Sequence, residues 1–134
     1  MATDGTELLR GASTILLIDW PSRDVPDSLA RAGLQVTSED GPGLYHAYQV
    51  EGVDVRPRRV EGRPARADLV YAHRPVDELP DIVEQAATLG ARAVWLESGS
   101  SEARALVESA GLLYIDAPQI ADAARAVRQA AGLG

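Results

Sequence analysis

The chain has 134 residues, 46% of them hydrophobic and 25% charged, with a formal net charge of −7 and no cysteine. A chain of this length buries roughly two thirds of its unfolded surface, enough for one domain with its own core, while the missing cysteines exclude disulfides, thiolate zinc sites and cysteine nucleophiles. The acidic balance disfavours a nucleic-acid backbone as partner, and no run reaches the roughly 18–20 apolar residues of a membrane span. Met1 to Arg10 also lacks the charged start and apolar run of a signal peptide, so the expectation is a cytoplasmic protein.

Residues 1–12 read as a flexible leader, in which Thr6 to Gly11 can form a turn of helix, and 13–134 as a single domain. The run Thr14-Ile15-Leu16-Leu17-Ile18 is a strand. A short helix comes after it, with Asp24 as its cap, Pro26 in the opening turn, and Val25, Leu29 and Ala32 facing inward. It ends at Gly33, ahead of Leu34-Gln35-Val36. From Ser38 to Arg66 the pattern is irregular: Gly41-Pro42-Gly43 is a turn, and Tyr48 to Val55 alternates like a short edge strand. Arg56-Pro57 and Arg63-Pro64 punctuate the rest of the segment, in which loop, or a hairpin, takes the place of a regular crossover.

Three more apolar runs come next, Leu69–Ala72, Ala93–Leu96 and Leu112–Ile115. They are continuous and not alternating, as strands covered on both faces must be. Between and after them lie three amphipathic stripes. The first is Leu79, Ile82, Val83, Ala86 and Leu89, with Asp77 able to cap and Pro80 in the first turn. The second is Ala103, Leu106, Val107 and Ala110, capped by Ser100 or Ser101. The third is Ile120, Ala124, Val127 and Ala131. Gly33, Gly90 and Gly111 each stand between a helical stripe and a strand, where a residue tolerant of the left-handed conformation ends a helix. Strand alternating with helix, joined by right-handed crossovers, predicts an α/β fold: a three-layer, Rossmann-like open parallel sheet of about five strands with helices on both faces. With few aromatics and no phenylalanine, the core falls to Ala, Val, Leu and Ile.

From Asp68 to Gly99 the sequence resembles the stand-alone CoA-binding proteins, relatives of the N-terminal domain of the succinyl-CoA synthetase alpha subunit. The resemblance rests on Arg74-Pro75 after a strand, Pro80 in the following helix, Gly90-Ala91-Arg92-Ala93-Val94-Trp95-Leu96, and the later Ala110-Gly111 before the last strand. It extends from Thr14 to about Ile115. It implies a Rossmann-type domain that binds CoA without catalysing a reaction, with Trp20, Ser22, Arg23, Arg74, Pro75 and Gly99 around the ligand. Arg74 would meet its adenine or phosphate end. The chain departs from the family pattern after the first strand, where Asp19-Trp20-Pro21-Ser22-Arg23-Asp24 is shorter and lacks the glycine that lets backbone amides approach a pyrophosphate. It departs again after the second, where Ser38-Glu39-Asp40 replaces Asn-Pro, and at Asp116-Ala117-Pro118-Gln119, where the family's Cys and His signature is missing.

The remaining polar residues carry less. Arg74 could equally pair with Asp77, Glu78 or Glu97 on the rim. His46 and His73 lack any metal-binding spacing and read as loop and rim residues, so no metal site is expected. Glu39-Asp40, and Glu97 with Glu102, are acids in an acidic chain, and no catalytic role is assigned. Trp95 reads as core, whereas Trp20 could stack on a flat ligand or plug the site. Arg56, Arg58, Arg59, Arg63 and Arg66 are five cations in eleven residues. They suit the ribose phosphate of CoA, an acidic partner, a second protomer, or solvent alone; the exclusive use of arginine fits a GC-rich bacterial genome. Two alternatives to CoA binding stay open: a degenerate relative acting as an interaction or dimerisation module through residues 56–66, and a small-molecule enzyme reusing the cleft with His73, Asp19 or Glu97.

Overall fold

The computed structural model describes residues 5–97 and 99–130. In chain order they form α1 (Gly5–Arg10), β1 (Thr14–Ile18), α2 (Asp24–Arg31), β2 (Gln35–Gly41), β3 (Leu44–Glu51), β4 (Asp54–Val60) and β5 (Leu69–Ala72). Next come a 3-10 turn (Val76–Glu78), α3 (Leu79–Thr88), β6 (Ala93–Leu96), α4 (Ser101–Ser109), β7 (Leu113–Ile115) and α5 (Ile120–Ala130).

One sheet runs in the order β4-β3-β2-β1-β5-β6-β7. The strands β2, β1, β5, β6 and β7 are parallel, while β3 and β4 add antiparallel to the β2 side. Seven strands therefore replace the expected five. The irregular segment is two tight hairpins, turning at Pro42-Gly43, with Gly43 at φ 73°, and at Gly52-Val53, with Gly52 at φ 65°. The stretch Tyr48 to Val55 is no strand of its own. It holds the end of β3, the turn and the start of β4, and β4 is the edge strand.

Side chains alternate between two cores. Ile15, Leu17, Tyr71 and Trp95 face α1, α2 and α5, meeting Leu9, Leu29, Ile120 and Ala124. Leu16, Val70, Val94 and Leu96 face α3 and α4, meeting Leu79, Ala86 and Val107. Each fully buried aliphatic side chain contributes roughly 1.5–3 kcal/mol, and both faces of β5 and β6 are buried throughout, which is why their sequences do not alternate. Part of the stretch read as a leader is the helix α1, whose Leu9 is 0% exposed; residues 1–4 lie outside the described residues, as does Ala131 of the last stripe.

Two expected caps differ. Arg23 holds the N-cap of α2, and Asp24, one position inside, accepts hydrogen bonds from the Ser28 hydroxyl (3.1 Å) and from Arg125 of α5 (2.9 Å). Ahead of α3 the chain makes the 3-10 turn, and Glu78 rather than Asp77 occupies the cap position. Ser100 caps α4, accepting from the Ala103 amide at 3.1 Å.

Candidate functional site

β1 ends at Ile18, and the chain leaves it through Asp19, which has φ 61°. Aspartate tolerates this left-handed conformation better than most residues because its short side chain bonds locally; here Oδ1 accepts from the Trp20 amide at 2.9 Å. The other oxygen, Oδ2, accepts from Nη1 of Arg74 at 3.2 Å. Arg74 stands just beyond β5, and its Nε and Nη2 donate to Oε2 of Glu78 at 3.0 and 2.6 Å. These bonds, that to Glu78 first, raise the Arg74 pKa above its ordinary value.

β2 and β5 flank β1 on opposite sides, so the crossovers diverge here and leave a crevice outside the carboxyl ends of the strands, the usual ligand position in open α/β sheets. A cavity of about 630 Å³ occupies it. Ile18, Trp20, Gly41 and Pro42 form its less polar walls, and Asp19, Glu39, Asp40, Glu78 and Arg74 its charged ones. Four carboxylates thus face one guanidinium that is already ion-paired. Asp40 is fixed by the buried Ser38, whose hydroxyl donates to Oδ2 at 2.9 Å, and the same oxygen meets Nδ1 of His46. Ser38 and His46 lie opposite each other in the β2–β3 pairing, a juxtaposition that requires the hairpin register. The sequence reads Glu39 and Asp40 as added negative charge after the second strand, and the fold sets both on the cavity wall.

Of the six residues expected around a ligand, Trp20 and Arg74 line this cavity. Trp20 is half-buried, its ring edge-on to Tyr48 with centroids 6.2 Å apart. Arg23 turns away: it donates to Asp27 (2.9 Å) and to the Val55 carbonyl (2.6 Å), with its guanidinium 5.3 Å from the centre of the Tyr48 ring. Ser22 is exposed, its carbonyl accepting from Val25. Pro75 is exposed at the start of the 3-10 turn. Gly99 is a packing glycine: a Cβ there would stand 1.5 Å from the Tyr114 hydroxyl. Of these four, none is part of the cavity wall.

Glu97 acts inside the fold. It accepts from the Tyr71 hydroxyl at 2.8 Å and from the Ile120 amide at the start of α5. Burial first, and then the Glu97 carboxylate, push the Tyr71 phenol far above its usual pKa. His73 is exposed, with its amide bonded to the Ile18 carbonyl at 3.0 Å. Among the described residues no cluster of three or more His, Asp or Glu side chains could hold a metal ion, and no helix is long and apolar enough to cross a membrane. Arg56 and Arg58 pair with Asp54 (3.4 Å) and Glu51 (3.3 Å) along the sheet edge. None of the five clustered arginines lines the cavity.

Residues 11–131 match the family described as CoA binding domain. The chain belongs to that family. Neither the curated proteins nor the solved structures yield a match to it.

Proposed function

We propose that this protein is a non-enzymatic binding domain for CoA or a CoA-like nucleotide, working in the cytoplasm, and that the ligand enters the crevice where β1, β2 and β5 end. The observation that carries this is the position and size of the cavity within a domain of this family: about 630 Å³ lies inside the 300–1,000 Å³ range typical of small-molecule sites. Trp20, Ile18 and Pro42 offer a surface for a flat base. Arg74, the one cation among the described residues of the wall, meets an anionic part of the ligand by exchanging Asp19 or Glu78 for it. Isothermal titration with CoA and with ADP, beside a thermal-shift series, tests this. Micromolar binding with several degrees of stabilisation, weakened roughly tenfold by Arg74→Ala, supports it. No heat and no shift at millimolar ligand contradicts it.

One observation favours a second reading, that of a family member whose cleft has lost its ligand and whose arginine-rich segment, on and beyond β4, binds an acidic partner or a second copy. Arg74 is held by two carboxylates of its own chain. Under this reading nucleotides do not bind, and the mass in size-exclusion chromatography falls when Arg56, Arg58 and Arg59 are replaced by serine.

A further inference from the structure

The cavity's charges also select among nucleotides, and this inference rests on the reading of the cleft as a nucleotide site. CoA carries a phosphate on its ribose, whereas dephospho-CoA and ADP present free ribose hydroxyls. In open α/β nucleotide sites, a carboxylate at the end of the second strand accepts hydrogen bonds from ribose hydroxyls, while a ribose phosphate calls for a nearby arginine.

Here β2 ends in two carboxylates. Glu39 stands level with Ile18 in the β1–β2 pairing, and both Glu39 and Asp40 border the cavity. Gln85 donates to Oε2 of Glu39 at 3.2 Å, and Ser38 and His46 both meet Oδ2 of Asp40. Each carboxylate therefore keeps its second oxygen, Oε1 or Oδ1, free of hydrogen bonds within the described residues. These are acceptors that suit a hydroxyl donor and repel a phosphate.

The cations that a ribose phosphate needs are elsewhere. Arg74, paired with Asp19 and Glu78, is taken by the diphosphate that all three ligands share, and Arg23 is bound to Asp27 and the Val55 carbonyl. Arg56, Arg58 and Arg59 lie on β4, two strands beyond β2, on the order of 10 Å away across the sheet. We infer that the cleft is built for an adenine nucleotide with free ribose hydroxyls and discriminates against CoA itself, with Glu39 and Asp40 as the selecting residues.

Titration calorimetry of the wild-type protein with CoA, dephospho-CoA and ADP tests this, followed by the same titrations of Glu39→Gln and of Glu39→Gln with Asp40→Asn. The expected result is dephospho-CoA binding at least tenfold tighter than CoA, with the gap narrowing in Glu39→Gln and closing in the double variant. CoA binding as tightly as dephospho-CoA, or more tightly, overturns this inference and leaves the proposed function standing. A wild-type gap that does not narrow in Glu39→Gln overturns the assignment to these carboxylates, and that single variant leaves the Asp40–Ser38–His46 contacts in place. No binding by any of the three nucleotides at millimolar concentration overturns the reading of the cleft, and this inference with it.

Discussion

Asp19 and Arg74, 55 positions apart in the chain, meet across 3.2 Å and tie the end of β1 to the end of β5 at the mouth of the cavity. The pair sets the charge that an entering ligand encounters, because Arg74 is occupied by Asp19 on one side and by Glu78 on the other. Asp19→Asn removes one competing charge while keeping a residue that tolerates φ 61° and an oxygen for the Trp20 amide. The variant is expected to bind phosphate-bearing ligands about three- to tenfold more tightly than the wild type. Titration calorimetry with ADP checks this.

Asp68 joins the first strands of the two halves of the sheet. Its carboxylate accepts from the Ser13 and Thr14 amides at 2.7 and 3.2 Å, and its own amide donates to the Thr14 hydroxyl at 3.0 Å. The Ser13 bond leads in holding its pKa below the ordinary 3.8. On acidification the unfolded chain therefore takes up this proton first, so the stabilisation is present above pH 3.8 and is lost as pH falls through the lower folded value. Asp68→Asn is expected to cost about 1 kcal/mol at neutral pH and to flatten the acid limb, as read from urea midpoints at about pH 7 and pH 3.

The alkaline limb belongs to the tyrosines. Tyr71 is buried and donates to Glu97, and its folded pKa lies far above the ordinary 10.0, chiefly through burial. Raising the pH past 10 ionises this phenol in the unfolded chain before the folded one. Stability present below pH 10 thus declines above it. Tyr71→Phe is expected to lower stability at neutral pH by about 1–2 kcal/mol, since it leaves the Glu97 carboxylate short of a donor, and to make the decline above about pH 10 shallower. Thermal melts from neutral pH to about pH 11 give both numbers.

Gly5 tests whether α1 belongs to the core. A Cβ at this position would stand 2.8 Å from the Ala117 carbonyl oxygen and 2.8 Å from Cη2 of Trp95. Gly5→Ala is therefore expected to cost about 1–3 kcal/mol through overpacking and to lower Tm by several degrees. Gly11, whose added Cβ would have, among the described residues, only the Leu8 carbonyl oxygen within reach, at 3.8 Å, is the control: Gly11→Ala changes stability by less than about 0.5 kcal/mol.

The parallel part of the fold was legible because its signals are local. Gly33, Gly90 and Gly111 take φ 98°, 75° and 80° where helices give way to strands, and strands buried on both faces read as unbroken apolar runs. β4 was not legible. Its three arginines and Pro57 are exposed, features that suit an edge strand and that hide one from a reader seeking alternation. The site divided in the same way. Trp20 and Arg74 could be placed because they follow strands directly. Negative charge after the first two strands, at Asp19 and at Glu39-Asp40, is also legible, but that these join Glu78 on one wall around Arg74 depends on the pairing of β1 with β2 and β5. Arg23 belongs to the same loop as Trp20, yet Tyr48 and the Val55 carbonyl, supplied by the β3–β4 hairpin, draw it away.

The central claim, that a nucleotide binds where β1, β2 and β5 end, is tested most directly by following the backbone amides of ¹⁵N-labelled protein by NMR during titration with ADP and with CoA. The account predicts saturable shifts at Asp19, Trp20, Glu39, Asp40, Gly41 and Arg74, with the amides of α4 and of the β3–β4 turn unmoved. Spectra unchanged at millimolar ligand, or shifts confined to the arginines of β4, would contradict it.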